Sequence, residues 1–420
     1  MVLGTSWYRH NRNPIDSLLF LLTFFIIQQK MLNPSLVLLF TTTSKQSQTI
    51  LKPTSTFLTK TQNRFTSVSN TSYYRKNNFV NILNMSTALT AIDKSGAFKR
   101  KESKHRHVIK VGSETFPPEA GRYHIHIALA CPWACGVLAM IYLKGLEDVI
   151  SHSIVHPTWG KTKPDDDNDK HHGWVFKEPG NAPMSNPLGH GSFVCDDALI
   201  SDNVTNCKSV REIYELGGDS QGPFTTPLLY DKKTKSIVNN ESTEILKMLN
   251  SEFNEFAKND IDLYPSDLED TLKKLNEELI YPKINNGVYK CGFAHSQQAY
   301  DKAVSELFLA LDDVEERLSK SRYIGGDQFT WLDIRLFNTL VRFDPVYITY
   351  FKTNQKRIVD YPNLLGYVRD VYSMEPIKKS INIDHIKIHY FTSHPVHNTF
   401  GIIPVYNGPD LEVPHNRNSM

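Results

Sequence analysis

One short stretch of the chain, residues 122–144, changes from the pattern of a strand to that of a helix at a cysteine. A strand-like run over residues 122–130 ends at Cys131, and a helix-like run follows over residues 136–144. Pro132 stands directly behind the cysteine, and proline is common at the first position of a helix. The first free N–H groups and the dipole of a helix favour a thiolate at such a position. We therefore predict a nucleophilic Cys131, against the simpler interpretation of a buried cysteine that ends a core strand.

Composition and cysteine spacing argue against several classes of protein. The 420 residues suffice for two or three domains, and 47 basic against 45 acidic residues give no indication of a nucleic-acid or membrane partner. Five cysteines without a regular spacing favour a reducing compartment over a disulfide-stapled, secreted chain. The gap between Cys131 and Cys135 matches neither a two-residue redox pair nor a zinc motif, so no metal is predicted.

The composition of the first 92 residues differs from that of a folded domain. Asp16 is their one acidic residue, whereas basic, Ser, Thr and Asn residues are frequent, a composition typical of organelle transit peptides. The apolar run at residues 17–27 is shorter than the roughly 20 residues that cross a membrane, so stable insertion is not expected. We predict a targeting or disordered leader at 1–92 and a cytoplasmic, mitochondrial or plastid location. A secretory signal, and a gene model that should begin at Met31 or Met85, remain open.

Residues 93–251 alternate between strand and helix patterns. Strand-like runs fall at 122–130, 147–155, 226–230 and 236–238, and helix-like runs fall at 136–144, 209–216 and 243–249. The order βαβαββα, with Pro227 near the start of the third strand, predicts a thioredoxin-like domain. The polar segment 161–172 is interpreted as a solvated insertion, although its pair His171 and His172 would also suit a metal.

Residues 252–420 show helical periodicity. Apolar residues recur at three- and four-residue spacing in the helical stretches 267–279, 297–318, 331–343 and 378–390. Thr330 and Asp333 form a variant of the capping box, for which a structural role is the preferred interpretation. The tail after Ser393 has an irregular pattern. The predicted fold class is therefore α/β plus all-α, with a thioredoxin-like domain followed by an all-helical domain.

Seven motifs in series support a more specific assignment. They are the segments 128–134, 173–176, 237–242, 284–293, 333–337, 342–344 and 385–390, and they span roughly Ser95 to Pro409. In these motifs the chain closely resembles the xi class of glutathione transferases, the glutathionyl-hydroquinone reductases. The resemblance implies the glutathione transferase fold, glutathione as co-substrate and a homodimer.

The resemblance also implies a glutathione site. Trp174 packs against glutathione, Glu241 and Ser242 hold its γ-glutamyl carboxylate and amine, and the backbone of Thr226, before a cis Pro227, pairs with its cysteinyl part. Taken alone, each residue has a simpler interpretation. In that interpretation Trp174 packs in the core, Pro227 is a proline of an edge strand, and Glu241 and Ser242 only begin a helix.

The same resemblance assigns the chemistry to three residues. Cys131 is the nucleophile that forms a mixed disulfide with glutathione, and Tyr289 and Tyr390 line the acceptor site and hydrogen-bond a hydroquinone hydroxyl. Packing is again the simpler interpretation of the tyrosines. The expected activity is reductive deglutathionylation of glutathionyl-hydroquinones. Two alternatives stay open: an omega-like thiol transferase or dehydroascorbate reductase, and a non-catalytic interaction module.

Three positions depart from the family pattern. Cys135 stands where the family usually has histidine, and Trp331 where it has glutamate. Pro223 replaces a basic residue that commonly assists glutathione binding. Lys232 or Lys233 could compensate for that loss. Cys135 could act as a resolving thiol, although an inert helix residue is the preferred interpretation.

Overall fold

A computed structural model describes residues Ile92–Met420. The predicted leader, with its apolar run at 17–27, lies outside the described residues. Within Ile92–Met420, no helix is both long and apolar enough to cross a membrane.

A four-stranded mixed sheet organises the first half of the described chain. The strands are β1 (Tyr123–Ile127), β2 (Ser151–Ile154), β5 (Leu228–Asp231) and β6 (Ser236–Asn239), in the order β2-β1-β5-β6. β1 pairs in parallel with β2 and antiparallel with β5, which pairs antiparallel with β6. A separate two-stranded ribbon joins β3 (Gly160–Lys161) to β4 (His172–Gly173). The predicted order of strands and helices is confirmed, with this ribbon added at the two ends of the polar insertion.

Helix α1 (Pro132–Lys144) runs directly from the end of β1 and is buried around most of its surface. Such an apolar helix has to pack on both sides, and α1 contacts both the sheet domain and the helical domain. It ends at Gly145, whose φ of 66° is the left-handed conformation that glycine adopts without strain. Helices α2 (Val210–Leu216) and α3 (Ser242–Ser251) complete the thioredoxin-like part.

The second half of the described chain is helical. After a 3₁₀ turn (Asn254–Phe256), its main helices are α4 (Glu269–Leu275), α5 (Gly287–Gly292), α6 (Gln297–Leu318), α7 (Trp331–Arg342), α8 (Ile348–Tyr350), α9 (Pro362–Tyr372), α10 (Glu375–Lys379) and α11 (Ile383–Thr392). Short 3₁₀ turns also lie at Ile358–Asp360 and Arg417–Ser419. Burial of its apolar stripe holds α6 in place, and each large side chain removed from water contributes about 1.5–3 kcal/mol. Its apolar side chains join those of α1 and of both faces of α7 in one continuous core.

Two helical predictions were wrong in detail. The stretch predicted over 267–279 ends as an α-helix at Leu275 and continues as a π-helix over Asn276–Asn285, which accommodates Pro282 inside the helical path. The stretch predicted over 378–390 is two helices, α10 and α11, separated where Asn382 caps α11 by accepting a hydrogen bond from the N–H of His385.

The capping box that the sequence predicts at α7 is present. The carboxylate of Asp333 accepts hydrogen bonds from the N–H and the hydroxyl of Thr330, each at 2.9 Å. It also accepts one from the N–H of Ile324 at 2.9 Å. Burial raises the pKa of Asp333 to about 6. The domain boundaries predicted at 92/93 and 251/252 stay predictions.

Candidate active site

One cleft between the sheet and the helical domain is lined by all the residues that the sequence predicts as a site. These are Cys131, Trp174, Thr226, Pro227, Glu241, Ser242, Tyr289 and Tyr390. They come from six separate elements or loops, so only the tertiary fold brings them together. Their joint placement makes the cleft the candidate active site.

Cys131 stands at the start of α1, where its backbone is extended and its side chain caps no N–H group. The thiol is half-buried and its Sγ lies 3.4 Å from the carbonyl oxygen of Thr226. This places a sulfur at the positive end of the helix, facing the loop before β5. The predicted position of a nucleophile is therefore matched by the local geometry.

Cys135 lies one turn further along α1 and is fully buried. Its thiol donates to the carbonyl of Leu129 at 3.0 Å and accepts from Nη2 of Arg342 at 3.0 Å. Burial raises the pKa of this thiol to about 11. A neutral thiol closed off from the cleft cannot serve as a resolving nucleophile, so the structure favours the inert interpretation.

Arg342 is a residue that the sequence did not single out as functional. Its guanidinium is fully buried and donates to the carbonyls of Leu129 and Ala130, at 3.2 and 3.3 Å, just before Cys131. It also donates to the backbone and side-chain oxygens of Asn338, at 2.7 and 3.0 Å. An arginine of the helical domain thus holds the turn that carries the cysteine.

The loop before β5 presents an unpaired backbone edge to the cleft. The Thr226–Pro227 peptide bond is cis, as the resemblance implies. In the described part of the chain the N–H of Thr226 donates to no protein acceptor. A peptide-like ligand in the cleft can therefore pair with it as one strand pairs with another.

Trp174 forms part of an aromatic wall of the cleft. Its ring stacks on His389 at a centroid distance of 4.4 Å and meets Trp159 edge-on at 5.7 Å. Burial lowers the pKa of His389 to about 3, so this imidazole is neutral at neutral pH. His389 and Trp159 were missed by the sequence analysis, because a single aromatic residue far along the chain carries no signal of its partner.

Glu241 and Ser242 begin α3. Glu241 accepts from the N–H of Thr243 at 3.3 Å and from the hydroxyl of Ser103 at 3.0 Å. Among residues 92–420, neither the N–H nor the hydroxyl of Ser242 donates to a protein acceptor. A carboxylate and free donors at one helix start can hold an ammonium and a carboxylate side by side.

Three tyrosine hydroxyls form a chain at the other end of the cleft. The hydroxyls of Tyr289 and Tyr390 lie 2.7 Å apart, and that of Tyr347 lies 3.2 Å from Tyr390. Burial raises the pKa of all three above the ordinary value, so they are neutral hydrogen-bond donors. Tyr347 was not predicted, and its place in the chain follows only from the packing of the π-helical segment Phe343–Tyr347.

The structure corrects the suggestion that Lys232 or Lys233 replaces the missing basic residue. Lys232 reaches Ser151 at 3.4 Å and Lys233 forms an ion pair at 3.2 Å with Glu119, and neither lines the cleft. The basic side chains that line the cleft are instead Arg100, Lys101, Lys104 and Arg335.

Lys104 belongs to a segment that crosses the mouth of the cleft. Its Nζ lies 3.5 Å from the carboxylate of Asp219, which also accepts from the N–H groups that precede Pro223. Arg100, from the same segment, and Arg335, from α7, stack their guanidinium groups on Trp133 at 4.8 and 5.3 Å. The lining of the cleft therefore contains basic side chains without the family's basic residue, together with the carboxylates of Glu102, Asp219 and Glu241.

The third departure, Trp331, lies outside the cleft. Its ring stacks on Tyr264 at 5.2 Å, with the two planes only 6° apart, and its side chain is buried in the core. The substitution is thus accommodated by packing.

A thioredoxin-like domain with a cysteine at the start of its first helix, joined to a helical domain across such a cleft, defines a glutathione transferase. Family models agree: the glutathione S-transferase N-terminal domain matches residues 130–252, and the C-terminal domain matches residues 297–370.

Comparison with individual proteins shows which class of glutathione transferase this chain belongs to. Glutathionyl-hydroquinone reductase YqjG of Escherichia coli is 40% identical over 329 residues, which is 77% of this chain and 92% of YqjG. A crystal structure of the Xi glutathione-S-transferase from Phanerochaete chrysosporium is 41% identical, with a TM-score of 0.66 over 76% of this chain and 100% of that chain. The glutathione-bound structure of YqjG is 40% identical, with a TM-score of 0.66 over 75% and 96%. This chain belongs to the xi class of glutathione transferases, the family of glutathionyl-hydroquinone reductases.

Proposed function

We propose that the protein removes glutathione from glutathionyl-hydroquinones, with a second glutathione as the reductant. The observation that carries this proposal is that one cleft is lined by the half-buried Cys131, by a hydrogen-bonded pair of tyrosine hydroxyls and by the residues of the predicted glutathione site. A reduction of an aromatic thioether needs a nucleophile for its sulfur and a proton donor for its ring, and the cleft offers both.

In the first step the Cys131 thiolate attacks the glutathione sulfur of the substrate. The bond between that sulfur and the ring carbon breaks, and its electron pair leaves with the ring, which takes up a proton. A new S–S bond joins Cys131 to glutathione, so the enzyme sulfur is oxidised as the ring is reduced. In this proposal the quinol oxygens bind beside Tyr289 and Tyr390, whose paired, neutral hydroxyls supply hydrogen bonds to the leaving group.

In the second step a glutathione thiolate attacks the mixed disulfide. Oxidised glutathione leaves, and the Cys131 thiolate is restored. Ser242 and Glu241 fit the charged γ-glutamyl end of the glutathione that is bound to Cys131, and Thr226 fits its peptide part, so the second glutathione attacks from the open side of the cleft. The sum of the two steps converts one glutathionyl-hydroquinone and one glutathione into hydroquinone and oxidised glutathione.

Intact-mass spectrometry of the full chain, mixed with a glutathionylated hydroquinone, tests the proposal. We expect one glutathione adduct, mapped to Cys131 by peptide analysis, together with release of free hydroquinone. Cys131→Ser should lose the adduct and the turnover, whereas Cys135→Ser, a matched change one helical turn away, should keep both. Turnover by Cys131→Ser would overturn the assignment of the nucleophile.

Relative rates separate the proposal from its alternatives. An omega-like thiol transferase would reduce a small glutathione mixed disulfide faster than it releases hydroquinone. An interaction module would neither bind glutathione at millimolar concentration nor release hydroquinone. We expect the glutathionyl-hydroquinone to be the better substrate, because a small mixed disulfide makes no use of the tyrosine pair.

A further inference from the structure

Two histidines and two serines face each other across β1 and β2. His124 pairs in register with Ser151, and His126 pairs with Ser153. Since side chains two residues apart lie on the same face of a strand, both histidines project to one side of the sheet. Nδ1 of each ring lies 2.8 Å from the hydroxyl oxygen of the serine opposite. The two rings are therefore oriented in the same way by the neighbouring strand.

The other nitrogen of each ring lacks a partner. Nε2 of His124 and Nε2 of His126 are buried and make no hydrogen bond within residues 92–420, and the side chains are only 1% and 0% exposed. If Nδ1 donates to the serine, each Nε2 presents a lone pair to the protein interior. Two unused lone pairs on neighbouring buried imidazoles indicate that a Lewis acid belongs there.

A carboxylate completes the cluster. One ring nitrogen from each histidine and a carboxylate oxygen of Asp202 all lie within 4.8 Å of one another, and all three residues are buried. No hydrogen bond joins Asp202 to either ring in the described structure. Its oxygens instead accept from the N–H groups of Thr205 and Cys207, at 3.1 and 3.2 Å, which orient the carboxylate.

We propose that His124, His126 and Asp202 bind a divalent transition-metal ion, with Zn²⁺ as the best fit. Two imidazoles and a carboxylate are an established type of zinc ligand set, and hydrogen bonds to Nδ1 are the usual way in which such ligands are oriented. Zinc bonds of about 2.0–2.1 Å hold tetrahedral ligand atoms about 3.3 Å apart, so ligand atoms as much as 4.8 Å apart have to approach by up to about 1.5 Å when the ion binds.

This site is separate from the active site. None of its three ligands lines the cleft. A metal there would tie β1 to the loop that contains Asp202 and leads into α2, so its effect is on stability. No metal is predicted from the sequence, because His124 and His126 have the pattern of an ordinary core strand and Asp202 lies far along the chain.

Cobalt(II) titration of the full chain, first freed of metal with a chelator and kept reduced, tests the proposal. The absorption spectrum of bound cobalt identifies the ligand atoms. Nitrogen and oxygen ligands give visible d–d bands, whereas coordination by the free thiols of this chain would add a near-ultraviolet sulfur-to-cobalt band. We expect one saturable site with d–d bands alone, displacement of cobalt by zinc, and a higher thermal midpoint with metal. Hydroquinone release should be equal before and after metal removal, so failure of this proposal leaves the proposed function intact.

Variants locate the site. His126→Gln should abolish saturable binding, and Ser153→Ala, which removes only the orienting hydroxyl, should weaken cobalt affinity about 10–100-fold. His152→Gln is the matched control, because His152 lies on β2 between the two serines but packs against Tyr142 on the other face. Absence of saturable binding by the wild-type chain would overturn the proposal, whether or not the variants fold. A sulfur-to-cobalt band as the main signal, or unchanged affinity in folded His126→Gln, would also overturn it.

Discussion

Replacement of Arg342 by methionine tests how the helical domain controls Cys131, the proposed nucleophile. In the described structure Nε of Arg342 is the donor that satisfies the carbonyl of Ala130, and Nη1 is the donor that satisfies the side-chain oxygen of Asn338. Methionine fills much of the same volume but donates nothing. Each buried acceptor left unpaired costs about 1–3 kcal/mol, so Arg342→Met should lower the free energy of unfolding by about 2–6 kcal/mol.

The effect on catalysis should exceed the effect expected from stability alone. Ala130 directly precedes Cys131, and loss of the hydrogen bond from Arg342 to its carbonyl lets the turn at Cys131 shift. A displacement of about 1 Å at a reacting group lowers the rate about 100-fold, so we expect a loss of that size in kcat/KM for hydroquinone release. Urea unfolding measures the first quantity, and steady-state turnover of a glutathionylated hydroquinone, below the unfolding transition, measures the second.

Arg417→Met is the matched control. Arg417 is also buried and donates to backbone carbonyls, those of Leu318 and Arg322 at 3.0 and 2.7 Å, but it does not line the cleft. Its replacement should lower stability and leave kcat/KM of the folded protein unchanged. Full turnover by folded Arg342→Met, or an equal loss in Arg417→Met, would refute the reasoning.

Three further changes probe other parts of the site. Tyr390→Phe removes the hydroxyl at the centre of the tyrosine chain and should lower kcat about 100-fold with little change in KM, measured by hydroquinone release. Lys104→Gln should weaken glutathione binding about fivefold by calorimetry, the factor for about 1 kcal/mol of a partly exposed charge, whereas Lys232→Gln should not. His389→Phe should make the free energy of unfolding less sensitive to acid pH. The native imidazole, with a pKa of about 3, stays neutral while the unfolded one gains a proton below about pH 6.5. Stability is therefore lost as the pH falls, and the variant should lose about 2 kcal/mol less between pH 6.5 and 5 in urea unfolding. An unchanged kcat, glutathione affinity or acid slope would contradict the respective prediction.

Local patterns were sufficient for much of the fold. The change of period at Cys131, the proline behind it and the proline before β5 each act within a few residues, and the structure has a strand end, a helix start and a cis bond at these positions. Breaks in the helices were harder to predict. The π-helix after Leu275 contains Pro282, and the gap between α10 and α11 falls where Asn382 caps α11, so both breaks have local causes that apolar periodicity does not register.

The sequence by itself determined the order of the elements, and it predicted the nucleophile and, through the resemblance, the residues of a glutathione site. Tertiary structure decided the contacts between residues far apart in the chain. In the folded chain Lys104, and not Lys232 or Lys233, lines the cleft and pairs with Asp219. The fold also brings Arg342 into contact with the turn that carries Cys131. It also placed Asp202 beside two strand histidines. The physical reason is that periodicity reports which side of an element is buried, whereas hydrogen bonds and charges act between particular atoms that only the packed fold brings within reach.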